Sequence, residues 1–183
     1  MLRFRRKFSL LLFFASALFL LWFLLLVVSP FAVPSGSLRD LSGTVGVSDN
    51  AALFSRLPFP WSQVYSIGDQ MCHQRVDRSF FLGGNEMAFC ARCIGVWLGI
   101  FVGLLCITFL EVPLDFRLAW VFLLGLLPIM VDGGGQLLGL WESTNIVRLL
   151  TGLLAGVVGG LGIGVLLEEL RDAVLVRKEK NAG

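Results

Sequence analysis

Four apolar runs, each long enough to cross the roughly 30 Å hydrocarbon core of a bilayer, constrain this chain more than any other feature. They cover residues 8–28, 91–110, about 112–131 and 146–167. Lipid offers backbone N–H and C=O groups no partners, so such runs are satisfied as helices. The fold class that follows is an all-α membrane protein with about four transmembrane helices. The third run is the least regular, because Asp115 and Arg117 stand near its start and Pro128 near its end. It still reads as a span: neighbouring helices re-satisfy the carbonyl a membrane proline frees, and a tilted or shallow helix can be short. With 56% apolar and only 15% charged residues, the chain does not read as an ordinary soluble domain.

Lysine and arginine are retained on the cytoplasmic side of a membrane. Arg3, Arg5, Arg6 and Lys7 precede the first run, which puts the N-terminus inside. Four crossings return the C-terminus to the same side, in agreement with Arg171, Arg177, Lys178 and Lys180. The expected location is therefore the cell (plasma) membrane, multi-pass, with both termini cytoplasmic. The first run also resembles a signal peptide, but its apolar core is long for a cleaved one, and an uncleaved anchor is preferred. Residues 29–90 and 132–145 then emerge on the extracytoplasmic face.

The expected organisation is an anchor helix over 1–28, a linker with an interfacial helix over 29–66, a motif-bearing membrane domain with three spans over 67–167, and a cytoplasmic tail over 168–183. Residues 29–50 are rich in Pro, Gly, Ser and Asp and read as an extended linker. Residues 51–66 are apolar and aromatic but broken by two prolines. They read as a short amphipathic helix with Trp61 and Tyr65 at headgroup level, with a packed loop as the alternative.

Gly95, Gly99 and Gly103 recur every fourth residue in the second run, as do Gly152, Gly156, Gly160 and Gly164 in the fourth. Small residues at that spacing let two helices approach closely. The second and fourth spans are accordingly expected to pair, within the chain or between chains of a homo- or hetero-oligomer. Arg92 and Arg148 stand one turn before their stripes, so the segments around them should converge.

That convergence matters because Cys72-His73 and Cys90-Ala-Arg-Cys93 supply four soft donors of the kind a tetrahedral zinc site uses. A metal site on Cys72, His73, Cys90 and Cys93 is the preferred reading, with zinc as the cofactor and iron not excluded. If Cys72 and His73 cannot both reach the ion, three protein ligands leave a fourth position for water. Cys106 lies about 20 Å deeper along a helix and is no partner. Two other readings stay open: a redox pair whose thiolate is stabilised by the helix N-terminus and Arg92, and a plain disulfide with a free cysteine. The adjacent histidine, which a disulfide does not need, favours the metal.

The second constellation is Asp132-Gly-Gly-Gly-Gln136, followed by Glu142, Ser143, Asn145 and Arg148. Three glycines allow close approach of a ligand and can expose consecutive N–H groups to an anion. Asp132 and Glu142 are candidate general bases, and Arg92, Gln136 and Arg148 candidate substrate-binding residues for an anionic, lipid-like molecule. The plainer alternative is that a carboxylate neutralises Arg148. Arg75, Arg78, Arg92 and Arg148 together suggest a cationic ring, offset one for one by Asp69, Asp77, Glu86 and Asp132. Membrane lipids are the expected partners. Nucleic acid is not, since the basic clusters flank spans. No nucleotide-binding loop, serine elbow or His-Glu-x-x-His helix is present.

Across residues 64–167, the segments Cys72-His73-Gln74, Arg78-Ser79-Phe80-Phe81, Cys90-Ala-Arg-Cys93 and Asp132-Gly133 with Gln136 give the chain a likeness to known proteins. It resembles an uncharacterised bacterial and archaeal membrane family, a domain of unknown function, with Cys-His-Gln, Cys-x-Arg-Cys and Asp-Gly-x-x-Gln signature segments. The resemblance implies a multi-span protein with a Cys/His site and that both motif segments belong to one unit. It implies no particular activity.

Overall fold

The computed structural model describes residues 3–4, 8–112 and 115–182. Arg5, Arg6 and Lys7, on which the expected orientation partly rests, lie outside the described residues. A two-residue strand β1 (Arg3–Phe4) leads into α1 (Leu10–Val28). The hydroxyl of Ser9 caps α1 by accepting from the N–H of Leu12 at 3.5 Å, and Pro30 sits in a 3-10 turn that follows it. The short helices α2 (Ala51–Phe54) and α3 (Trp61–Met71) come next. A hairpin of β2 (Phe81–Leu82) and β3 (Asn85–Glu86) then precedes α4 (Ala91–Phe109). Finally β4 (Leu110–Glu111), antiparallel to β1, leads to α5 (Phe116–Leu137) and α6 (Asn145–Ala182). Four of these helices, α1, α4, α5 and α6, are long and apolar enough to cross a membrane.

The third span is displaced from its expected bounds. Asp115 is its cap, accepting from the N–H groups of Arg117 at 2.9 Å and Leu118 at 3.3 Å, so the charge that made the run look irregular starts the helix. At its other end, Asp132, the three glycines and Gln136 lie inside α5 rather than in a loop. Their backbone groups are taken up by helical bonds, which removes the expected anion-binding string of free N–H groups. The α6 helix continues unbroken through residues 168–182.

Glycine stripes form the central seam. A Cβ on Gly95, Gly99 or Gly103 would collide with the backbone of Leu149, Leu153 or Val157, and one on Gly152, Gly156 or Gly160 with that of Arg92, Val96 or Ile100. The expected pairing of second and fourth spans is thus realised within the chain, with backbones in contact. Contacts on either side bring α1 against α4 and α5 against α6. Gly159, off the stripe, faces open space.

Residues 32–50 lack helix and strand, as expected, but they are not an extended linker. Leu38 and Leu41 are fully buried because two polar side chains tie the segment down. Asn85 donates to the carbonyls of Pro30 at 2.9 Å and Pro34 at 3.1 Å, and accepts from the N–H of Leu38 at 3.0 Å. Glu86 accepts from the N–H of Leu41 at 3.2 Å, and burial pushes its carboxyl up to about 7. Tyr65, expected to face headgroups, instead faces the protein interior: it is fully buried, its hydroxyl donating to the Glu86 carbonyl at 2.8 Å. These contacts build a small cap over the end of the bundle where α4 and α6 begin.

Candidate functional site

Three local features bring the motif cysteines together. Cys72 ends α3 in extended conformation, its N–H still donating to the Gly68 carbonyl at 2.9 Å. Gln74 adopts a left-handed backbone (φ 41°), and its fully buried side chain donates to the Ala88 carbonyl at 2.7 Å. Gly68 lies so close to that same carbonyl that a Cβ there would collide with it. The segment before Cys90 is therefore clamped onto the end of α3, and Cys90 and Cys93 flank the first turn of α4.

The Sγ atoms of Cys72, Cys90 and Cys93 all lie within 4.8 Å of one another. Cys90 and Cys93 are separated by 3.5 Å and Cys93 and Cys72 by 3.8 Å, so none is disulfide-bonded. The N–H of Cys90 donates to the Cys72 sulfur at 3.4 Å. Hydrogen bonds from Cys72 and Cys93, aided by N–H groups at the start of α4, hold the Cys90 thiol well below the usual thiol range. Sharing with Cys90, together with burial, pushes Cys72 up to about 11.

His73 is exposed and stands outside this mutual cluster. It does line the same cavity, a space of about 310 Å³ bounded also by the three cysteines, Arg75, Arg78, Arg92 and Arg148. Cys106 is no part of the cluster, in keeping with its depth on α4.

Behind the cavity runs a continuous polar chain. Arg92 on α4 is ion-paired with Asp132 on α5, and Asp132 also accepts from the Ser143 hydroxyl. Gln136 donates to Ser143 at 2.8 Å and accepts from Arg148 at 3.2 Å. Arg148 is 3% exposed and further donates to Glu142 and Asn145, both at 3.0 Å, and to the Asp77 carbonyl at 3.3 Å. Glu142, itself exposed, reaches Arg78 at 3.5 Å, while Asp77 pairs with Arg75 at 3.1 Å and Arg78 at 3.4 Å.

Arg92 and Arg148 thus line the cavity, whereas Asp132, Gln136 and Glu142 stand behind the arginines and hold them. The expected one-for-one offset differs in its members. Asp69 is taken up by Asn50, accepting from its N–H at 3.0 Å and its side chain at 2.9 Å, and Glu86 serves Leu41. Four guanidiniums therefore meet the three carboxylates Asp77, Asp132 and Glu142, none of which lines the cavity. The Nε of Arg92 is buried without a partner among the described residues. Sequence reasoning missed Gln74, Asn85 and Glu86 as anchors. The Gly83-Gly84 pair before the last two, both at positive φ, was the available signal of a tight hairpin.

One family model spans the three cysteines, the four arginines and the three carboxylates. Residues 72–161 match the model of a family described as "Predicted membrane protein (DUF2085)". An uncharacterised protein of Methanocaldococcus jannaschii is 42% identical over 95 residues, covering 51% of this chain and 61% of that protein. An uncharacterised protein of Methanothermobacter thermautotrophicus is 34% identical over 105 residues, covering 57% of this chain and 91% of that protein. The chain thus spans about six tenths of the first relative and nearly all of the second. No solved structure matches.

Proposed function

The chain belongs to the DUF2085 family of predicted membrane proteins, and from that premise we propose that it is a multi-pass membrane metalloprotein whose Cys72, Cys90 and Cys93 bind zinc. The observation that carries this is the sulfur spacing. Tetrahedral zinc with Zn–S bonds of about 2.3 Å separates its thiolates by about 3.8 Å, close to the 3.5 and 3.8 Å found here. Three ligands leave the fourth position toward the arginine-lined cavity, the arrangement of catalytic rather than structural zinc. Zinc bound there would supply Lewis acidity toward an oxygen of an anion in the cavity.

The chain's own side chains have distinct parts in this reading. Arg75, Arg78 and Arg92 hold the anion through charge-assisted hydrogen bonds. Asp132 and Glu142 orient Arg92 and Arg148, and His73 at the cavity wall closes the fourth position. The basic residues flanking the spans support an extracytoplasmic cavity. Elemental analysis of detergent-purified protein tests the proposal: about one zinc per chain is expected in the wild type, and none in Cys90→Ser.

A second reading, a membrane thiol oxidoreductase, is favoured by the lowered Cys90 thiol beside Cys93. It replaces the first if the purified protein is metal-free and alkylation with mass measurement shows a Cys90 to Cys93 bond under oxidising conditions only.

A further inference from the structure

A second cavity lies about one helical turn from the first along α3 and α4. It is an apolar groove of about 320 Å³ lined by Leu18, Phe19 and Trp22 of α1, Ile67 of α3 and Trp97 of α4. Its aromatic wall is interlocked: the Trp97 ring lies 5.9 Å from Phe19, 5.9 Å from Trp22 and 6.1 Å from Phe89. Trp22 also keeps its indole N–H buried with no partner among the described residues.

Groove and arginine cavity are consecutive along two helices. On α3, Ile67 lines the groove and Met71, one turn on, lines the cavity; on α4, Trp97 lines the groove and Cys93, one turn back, lines the cavity. Residues four apart share a helix face and are separated by about 6 Å along the axis. One elongated molecule can therefore occupy both spaces, with a charged end beside the thiols and an apolar end against the tryptophans.

We propose that the site takes a phosphate-headed lipid, its head among Arg75, Arg78, Arg92 and Arg148 and its hydrocarbon chain in the α1/α3/α4 groove. The inference rests on the reading of the arginine cavity as an anion site and adds the tail and the head chemistry. Several converging guanidiniums suit a phosphate, whose oxygens accept multiple forked pairs, better than a single carboxylate. A soluble anion has no use for an apolar groove one helical turn from its pocket. The groove fixes the chain so that the head group is presented to the sulfur cluster in one orientation, the contribution binding makes to reactivity.

Tryptophan fluorescence of the zinc-loaded, full-length protein in neutral detergent reads this directly, because bromine quenches indoles it touches. The probe is dodecyl phosphate brominated on its chain; inorganic phosphate and brominated dodecyl maltoside are the controls. Saturable quenching by the alkyl phosphate is expected at concentrations at least tenfold below those at which inorganic phosphate competes it off, with no saturable quenching by the maltoside. Ile67→Trp, which fills the groove from a part-exposed position, should weaken alkyl phosphate at least tenfold and leave inorganic phosphate unchanged. Arg78→Gln should weaken both.

If inorganic phosphate competes as well as the alkyl phosphate binds and Ile67→Trp changes neither, the lipid inference fails while the anion site stands. If neither phosphate binds, the anion site fails with it. Equal quenching by the maltoside overturns the role of the head. Displacement by a short-chain quinone that the thiols reduce assigns the groove to redox chemistry instead.

Discussion

At the end of the bundle where α1 begins, a cavity of about 770 Å³ is lined by Glu111, Glu168, Glu169, Arg171 and Asp172 among others. The cavity at the opposite end has less than half that volume, about 310 Å³. The larger one joins Phe8, Ile107, Glu111 and Val112 to one face of α6, where Arg171 pairs with Glu168 and Asp172, both at 2.9 Å, and the Ser9 hydroxyl donates to Glu168 at 2.6 Å. Among the described residues no thiol lines it, and the charged groups on the helix stand exposed or part-exposed. The smaller joins residues from α3, the following loop, α4 and α6, backed by α5, and buries Arg148 within it. Volume is therefore a poor guide to the site in this protein. Convergence of distant, buried, chemically reactive groups is the better one, because each such group costs free energy to bury and is retained only where its partners are built around it.

Metal content sharpens this contrast most. Cys93→Ser should abolish zinc binding, whereas Cys106→Ser, four turns deeper on the same helix, should retain about one zinc per chain by elemental analysis. Loss in both variants would break the assignment. Next in size is the cost of removing one cation from each end. Arg148→Ala leaves its partners unpaired in a buried network and should cost about 3–5 kcal/mol. Arg171→Ala, at a part-exposed helix surface, should cost less than about 1 kcal/mol. Thermal unfolding in one detergent measures both, and equal effects would erase the difference between the ends.

The seam that links the ends gives a smaller effect. Gly99→Ala pushes a methyl into the Leu153 carbonyl and should destabilise by about 1–3 kcal/mol, while Gly159→Ala, with nothing near its Cβ, should be neutral or slightly stabilising. The effect at the cap is graded with pH and small at each step. Glu86 has its carboxyl raised from 4.5 to about 7 when folded, so the folded state binds the proton more tightly than the unfolded one. Cap stability is fully present below about pH 4.5 and declines as pH rises to about 7, by less than about 1.4 kcal/mol per unit. Hydrogen exchange of residues 32–50 should accelerate over that window beyond its intrinsic pH dependence. Glu86→Gln should remove the excess.

The spans and the seam were legible in the sequence because both depend on patterns local to one helix: hydropathy over about twenty residues, and glycine at every fourth position. The misplacement of the third span has an equally local cause. Hydropathy registers Asp115 as a flaw in the run, but its side chain caps α5, and the three glycines after Asp132 are held helical by the bonds around them. The cap was read least well. Leu38 and Leu41 are buried only because Asn85 and Glu86, more than forty residues away, bond their backbone, and no periodicity announces such a contact.

The candidate site divides along the same line. That Cys72, Cys90 and Cys93 form one group followed from residue type and spacing, since soft donors two residues apart at a helix start can meet a third across a short loop. That His73 stands apart from them, that Asp132 and Glu142 serve the arginines, and that an apolar groove lies one helical turn from the cavity were decided by tertiary structure alone. Composition and spacing determine what a chain can bury and ligate. Which side chain faces which is set by the angle at which helices meet, and here that angle follows from glycine backbones pressed together at the α4/α6 seam.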